Sequence, residues 1–122
     1  MADNLSTTGA DAALNAWGAV AGYIQLHTGD PGSAGTANVS STTTRQAVTW
    51  GSAASGVLTA SNSPEWTAWS GTNGEGVTDI SFWSGPTGGT FEGSMPLASA
   101  VTMNTSDSLT LTPITVTLPT AS

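Results

Sequence analysis

Val77-Thr-Asp-Ile-Ser-Phe-Trp83 is the stretch that decides the fold, because it is the clearest β pattern in the chain. β-Branched and aromatic residues dominate it, and Ile80 and Phe82 fall on one face of an extended strand. Glycine-rich turns bound it on both sides, at residues 71–76 and 85–89. The stretch therefore predicts a strand whose Ile80–Phe82 face packs into a core.

Similar short patterns lie on either side of this strand. In Tyr23-Ile-Gln-Leu-His27, apolar Ile24 and Leu26 alternate with polar residues, which predicts a half-buried strand ending at the turn Gly29-Asp-Pro-Gly32. Further β patterns occupy residues 46–50, 57–60, 65–69 and 90–97. Short strands separated by turns predict a mainly β fold, an antiparallel β-sandwich or jelly-roll-like domain.

The last β pattern changes register. Leu109 and Leu111 share one face, whereas Ile114, Val116 and Leu118 would fall on the other face of a regular strand. A β-bulge at Thr112-Pro113 would return all of them to the same side, at the cost of one ladder hydrogen bond.

One short N-terminal helix is expected within residues 5–21. Thr8 is a candidate N-cap, with Asp11 three residues later as in a capping box. Gly18 and Gly22 indicate where the helix ends. We expect a single domain over residues 1–122, with a helical segment at 1–22 and the β-sandwich at 23–122. The apolar helix face comprises Ala10, Ala13, Leu14, Trp17 and Ala21.

The hydrophobic positions of these elements predict the core. The predicted core residues are Leu14, Trp17, Ile24, Leu26, Val48, Leu58, Ile80, Phe82, Leu109, Leu111, Ile114 and Val116.

Charge limits the functions that the chain can have. Eight acidic residues face one base, Arg45, and the net charge is −7. Nucleic-acid binding needs several cations to neutralise phosphates, so no nucleic-acid partner is expected. Anionic membrane surfaces are disfavoured for the same reason. Without cysteine the chain has no disulfide and no thiol chemistry.

Residues suited to catalysis are few and scattered. His27 is the single histidine, and no Gly-x-Ser-x-Gly motif accompanies it. We expect His27 to bond to a neighbouring turn, and we expect no catalytic residue, no cofactor and no metal. A weak calcium site in the loops at 29–32 or 71–79 is the alternative left open.

The tryptophans allow two functions to be compared. Trp66 and Trp69, with Trp83, could stack on sugar rings, as in a carbohydrate-binding module. Because Trp66 and Trp69 are three residues apart, a strand would point them to opposite faces, so at least one is expected in the core. Core or subunit-interface positions are the favoured interpretation, since tryptophan often anchors protein interfaces.

Two segments together resemble a known group of proteins. Tyr23-Ile-Gln-Leu-His-Thr-Gly-Asp-Pro-Gly32 and Arg45-Gln-Ala-Val-Thr-Trp50 are similar to segments of small virion proteins of tailed bacteriophages. These proteins are described as capsid decoration proteins, head fibres, or minor tail and tail-fibre proteins, notably in phages of actinobacteria. Residues 65–69 and 77–83 occur in similar order in that group.

The resemblance implies a structural subunit on the particle exterior, synthesised in the host cytoplasm and without a catalytic site. We expect a capsid decoration protein that binds the major capsid protein as a homotrimer. A tail fibre or minor tail protein is the alternative, and a module that binds host surface glycans is the third. The candidate interface residues are Trp69, Trp83, Phe91, Asp30, Pro31, Asn38 and Val39.

Overall fold

A computed structural model describes residues 4–112 and 114–120. It contains one helix and eight strands among these residues. They are α1 (Thr7–Val20), β1 (Tyr23–His27), β2 (Gln46–Ala47), β3 (Val57–Thr59), β4 (Glu65–Trp66), β5 (Glu75–Trp83), β6 (Phe91–Met103), β7 (Leu109–Thr110) and β8 (Thr115–Thr117).

The main sheet has four antiparallel strands in the order β2-β1-β5-β6. The predicted strand 77–83 forms most of β5, which lies inside the sheet and pairs with β1 and β6. Ile80 opposes Leu26 of β1 and Met95 of β6. The strand begins two residues earlier than predicted, at Glu75, because its pairing with β6 continues to Met103.

β1 differs from the prediction because both of its faces are covered. Gln25 and His27, expected on a solvent face, are 8% and 0% exposed. Two features cover that face: Gln25 accepts a hydrogen bond from Arg45, and His27 contacts the loop that follows β1. An inner strand of a sheet that is covered on both sides needs no polar alternation.

Two small antiparallel sheets complete the β structure, β3 with β8 and β4 with β7. The sequence predicted one bulged strand over residues 109–118, and this was wrong. β7 and β8 are separate strands in different sheets, so the chain leaves one partner before joining the next. The predicted bulge residue Pro113 lies outside the described residues.

The helix begins at Thr7, with Ser6 as N-cap, and the prediction of Thr8 as cap was wrong. The Ser6 hydroxyl accepts the hydrogen bond of the Gly9 N–H, which is the third helical residue. Asp11 is used elsewhere, since its carboxylate accepts from the Gly56 N–H. Gly18 lets the helix approach the sheet, because a Cβ there would lie 3.1 Å from Leu58 Cδ2.

Ten of the twelve predicted core residues are buried, at 7% exposure or less. The other two, Trp17 and Val116, are only half-buried. The predicted fold class is confirmed: the protein is mainly antiparallel β with one helix near the N-terminus. Within the described ranges, no helix is both long and apolar enough to cross a membrane.

Candidate interaction surface

Arg45, the single basic residue, makes its contacts within the protein. Its Nη1 donates to the carbonyl oxygens of Gly85 and Gly88 at 2.9 and 2.7 Å, and its guanidinium lies 4.1 Å from the centre of the Trp83 ring. The side chain thereby fixes the turn between β5 and β6. The cation therefore serves the fold, through these two hydrogen bonds and a third from Nε to Gln25.

The loop between β1 and β2 folds back along β1. The Thr28 N–H donates to the Asn38 carbonyl and the Ser40 N–H to the Leu26 carbonyl. Asn38 has a left-handed backbone (φ 52°), and its amide donates to the Asp30 carbonyl. Because these contacts are mainly between backbone groups, they order a loop whose side chains are small and polar.

A buried hydrogen-bonded chain joins this loop to the sheet. The indole N–H of Trp83 donates to Ser81 Oγ at 2.7 Å, and Ser81 Oγ lies 2.7 Å from His27 Nε2. His27 Nδ1 lies 2.9 Å from the Ala37 carbonyl oxygen. Since a carbonyl can only accept, Nδ1 carries the proton, and in neutral imidazole Nε2 accepts from the Ser81 hydroxyl. Each donor in the chain thus has one acceptor.

Burial decides whether the His27–Ser81 pair could act in catalysis. A serine hydroxyl beside a histidine is an arrangement used by hydrolases. Here both His27 and Ser81 are 0% exposed, so no substrate reaches the hydroxyl. The expected contact of His27 with a turn is observed. These hydrogen bonds hold the loop after β1 against the sheet.

Glu75 is a second point where the loop is fixed. Its carboxylate accepts hydrogen bonds from the Ser40 hydroxyl and the Ser41 N–H. Partial burial raises the pKa of Glu75, but the hydrogen bonds from Ser40 and Ser41 outweigh it, so the pKa is lowered overall. Among the described residues, no group of three or more His, Cys, Asp or Glu is arranged to hold a metal.

The lowered pKa of Glu75 predicts a pH dependence of stability. A carboxylate with a depressed folded-state pKa stabilises the protein above its unfolded pKa, and this contribution is lost as pH falls through the folded-state value. We therefore expect the melting temperature to fall more steeply below about pH 4.5 in the wild type than in Glu75→Gln. Glu65→Gln, at an exposed site, is the control, and an unchanged pH profile in Glu75→Gln would contradict the assignment.

The predicted interface residues fall into different environments. Trp69 and Trp83 are 2% and 8% exposed, so the chain itself buries these two candidate anchors. Pro31 is fully buried. Phe91 is half-buried, packed 5.5 Å from Trp83 between ring centres and against Gly35 of the loop. Asp30, Asn38 and Val39 lie at the surface of the loop.

The tryptophans do not form an exposed platform. Trp66, Trp69 and Trp83 are all at most 8% exposed, and the indole N–H groups of Trp66 and Trp69 donate to the carbonyls of Thr44 and Thr72. Trp66 and Trp69 are both buried because the strand ends at Trp66 and the backbone turns at Ala68 (φ 51°). Sugar rings therefore have no access to these three indoles.

An apolar furrow runs along one side of the described structure. Three adjoining hollows of about 310, 360 and 390 Å³ form it, between α1 and β6 on one side and residues 109–118 on the other. The first two share Trp17 and Val116, and the last two share Met95 and Thr115. Glu92 is the one charged residue among the described residues that line the furrow.

The model of one protein family matches residues 4–119. That family is described as the podophage GP4 fiber I protein gp80. The chain belongs to this family. No curated protein matches it.

Membership of the gp80 fiber I family makes the chain a structural protein of a bacteriophage virion. This confirms the coarser part of the resemblance seen in the sequence, a virion structural protein. The family name specifies a fibre, which is the alternative to the capsid decoration protein expected first.

Sequence reasoning missed much of the furrow of this gp80-family chain. Met95, Leu97 and Val101 of β6 are half-buried along it and were not among the predicted core or interface residues. The alternation of Met95 and Leu97 with Ser94 and Pro96 is a usable signal, but it does not distinguish a covered from an open strand face.

Proposed function

We propose that this chain is a fibre subunit on the exterior of a phage virion, acting by packing against copies of itself and neighbouring virion proteins rather than by catalysis. The observation that carries the proposal is the match of residues 4–119 to a fibre protein family. The internal use of His27, Ser81 and Arg45 supports a structural role, because these groups are engaged in holding the fold.

Self-association is part of this proposal, with a homotrimer as the leading stoichiometry. Many copies on one particle convert modest contacts into firm attachment through avidity. The half-buried apolar side chains along the furrow are the kind of surface that such contacts cover.

A capsid decoration protein that binds the major capsid protein is the second candidate. It is favoured by the lack of an internal sequence repeat that could extend into a long shaft. The burial of Trp66, Trp69 and Trp83 leaves the carbohydrate-binding alternative without the platform on which it depended.

Immunogold labelling of purified particles, combined with the copy number per virion from quantitative mass spectrometry, tests the proposal. We expect label on fibres and a few to some tens of copies per particle. Label spread over the head with hundreds of copies would replace the fibre proposal by the decoration one. Absence of the protein from purified particles would overturn both.

A further inference from the structure

The furrow is a gap in the cover of the core. Its walls include buried residues, among them Ile80 at 1% and Leu111 at 6% exposure. Its rim includes Trp17 and Val116, the two predicted core residues that the chain leaves half-buried. The sequence pattern therefore places apolar side chains where a single copy does not cover them.

The edge of β8 that faces the furrow has no strand partner among the described residues. On the side of β3, the Ala60 N–H donates to the Ile114 carbonyl and the Leu118 N–H to the Gly56 carbonyl. In an antiparallel ladder, alternate residues point their backbone groups in opposite directions, so Thr115 and Thr117 present theirs away from β3. Both threonines line the furrow, and among the described residues β8 pairs with β3 only.

The opposite side of the furrow is less suited to ladder pairing. β6 is an edge strand of 13 residues, but it contains Pro96 and its register with β5 shifts between Val77 and Asp79. Proline and bulges are features that protect edge strands from pairing. A docked strand would therefore bond to β8 and lie against the side chains of β6.

The low charge of the furrow favours a second copy of this chain as its occupant. A chain with net charge −7 repels its own copy wherever acidic surfaces meet, and a basic partner would bind those acidic surfaces instead. The furrow has Glu92 as its one charged lining residue among those described, so two copies can meet there without opposing several acids. Each copy also supplies what the other needs, a free strand edge beside apolar side chains.

We propose that a second copy of this chain docks along the furrow and pairs with the free edge of β8. The inference rests on the self-association in the proposed function and names one surface for it. Two β8 edges that pair with each other are related by a two-fold axis, so this contact joins copies in pairs and is separate from the contacts around the three-fold axis of a homotrimer. Docking would cover Trp17, Met95, Val116 and Leu118 and satisfy the backbone groups of Thr115 and Thr117.

Analytical ultracentrifugation of purified wild-type and variant protein tests the inference. We expect Thr115→Glu/Thr117→Glu to raise the dissociation constant at least about tenfold, because it adds two acidic groups to a contact where Glu92 is the one charged residue among those described. Both threonines are exposed in a single copy, so the fold should persist, which circular dichroism checks. Thr87→Glu, exposed in the turn after β5, is the charge control and should associate like wild type.

Two further variants separate the possible failures. Val39→Glu places one negative charge on the loop at 29–44. If this variant loses association and the β8 variant does not, the furrow assignment is overturned while self-association stands. A strictly monomeric wild type would overturn both.

Cross-linking tests the proximity of two β8 strands directly, because the chain has no cysteine of its own. We expect a short bismaleimide to link copies of Thr117→Cys more efficiently than copies of Thr87→Cys. Equal yields would contradict docking at β8.

Discussion

Replacing Ser81 by alanine is expected to destabilise the protein by about 2–6 kcal/mol, because one hydroxyl satisfies two buried polar groups. The Trp83 N–H would lose its acceptor, and His27 Nε2 would lose its donor. Each unsatisfied buried group costs about 1–3 kcal/mol. The free energy of unfolding from urea titration followed by tryptophan fluorescence is the measurement.

Ser94→Ala is the matched control. Ser94 opposes Ser81 across the β5–β6 ladder but is exposed, so its loss should change stability by less than about 0.5 kcal/mol. His27→Ala should be non-additive with Ser81→Ala, since both changes break the same chain of hydrogen bonds. Equal stabilities of Ser81→Ala and Ser94→Ala would contradict the hydrogen-bonded chain.

Leu58→Ala is expected to cost about 2–5 kcal/mol, the range for leucine truncation in a well-packed core. Leu58 is 0% exposed and lies under the helix at Gly18. Leu5→Ala is the same truncation at a site that is 48% exposed, so its cost should be much smaller. Thermal and denaturant unfolding of both variants measure the difference.

The contact between Leu58 and Gly18 can be isolated in a double-mutant cycle. Gly18→Ala adds a methyl group 3.1 Å from the leucine side chain, so it strains the wild type. In Leu58→Ala the methyl group enters the vacated space, and its effect on stability should become more favourable. Additive effects would show that the helix and β3 do not pack as described.

The class of fold could be predicted from the sequence because alternating apolar residues and glycine-rich turns are local signals. β5 and β1 were located in this way, as was the helix ahead of them. Ten predicted core residues are buried for the same reason, since apolar residues at regular spacing have few other places to lie.

Pairing partners were decided by tertiary structure. Residues 109–118 looked like one strand because spacing cannot show that β7 pairs with β4 and β8 with β3. Trp69 and Trp83 looked like interface anchors because an aromatic residue in a short strand can face either the core or a partner. Contacts between residues distant in sequence bury both. The Arg45 guanidinium lies over the Trp83 ring, and the backbone N–H of Trp69 donates to the Asp107 carbonyl.

By itself the sequence determined a mainly β chain with one helix, a strongly acidic charge and little material for catalysis, since composition and periodicity are properties of each residue and its neighbours. The candidate interaction surface was decided by the tertiary structure. Trp17 and Val116 have the apolar pattern of core residues, and only the relative placement of α1, β6 and β8 leaves them half-buried along an open furrow. Burial depends on what lies opposite a side chain, and that is set by contacts between distant segments.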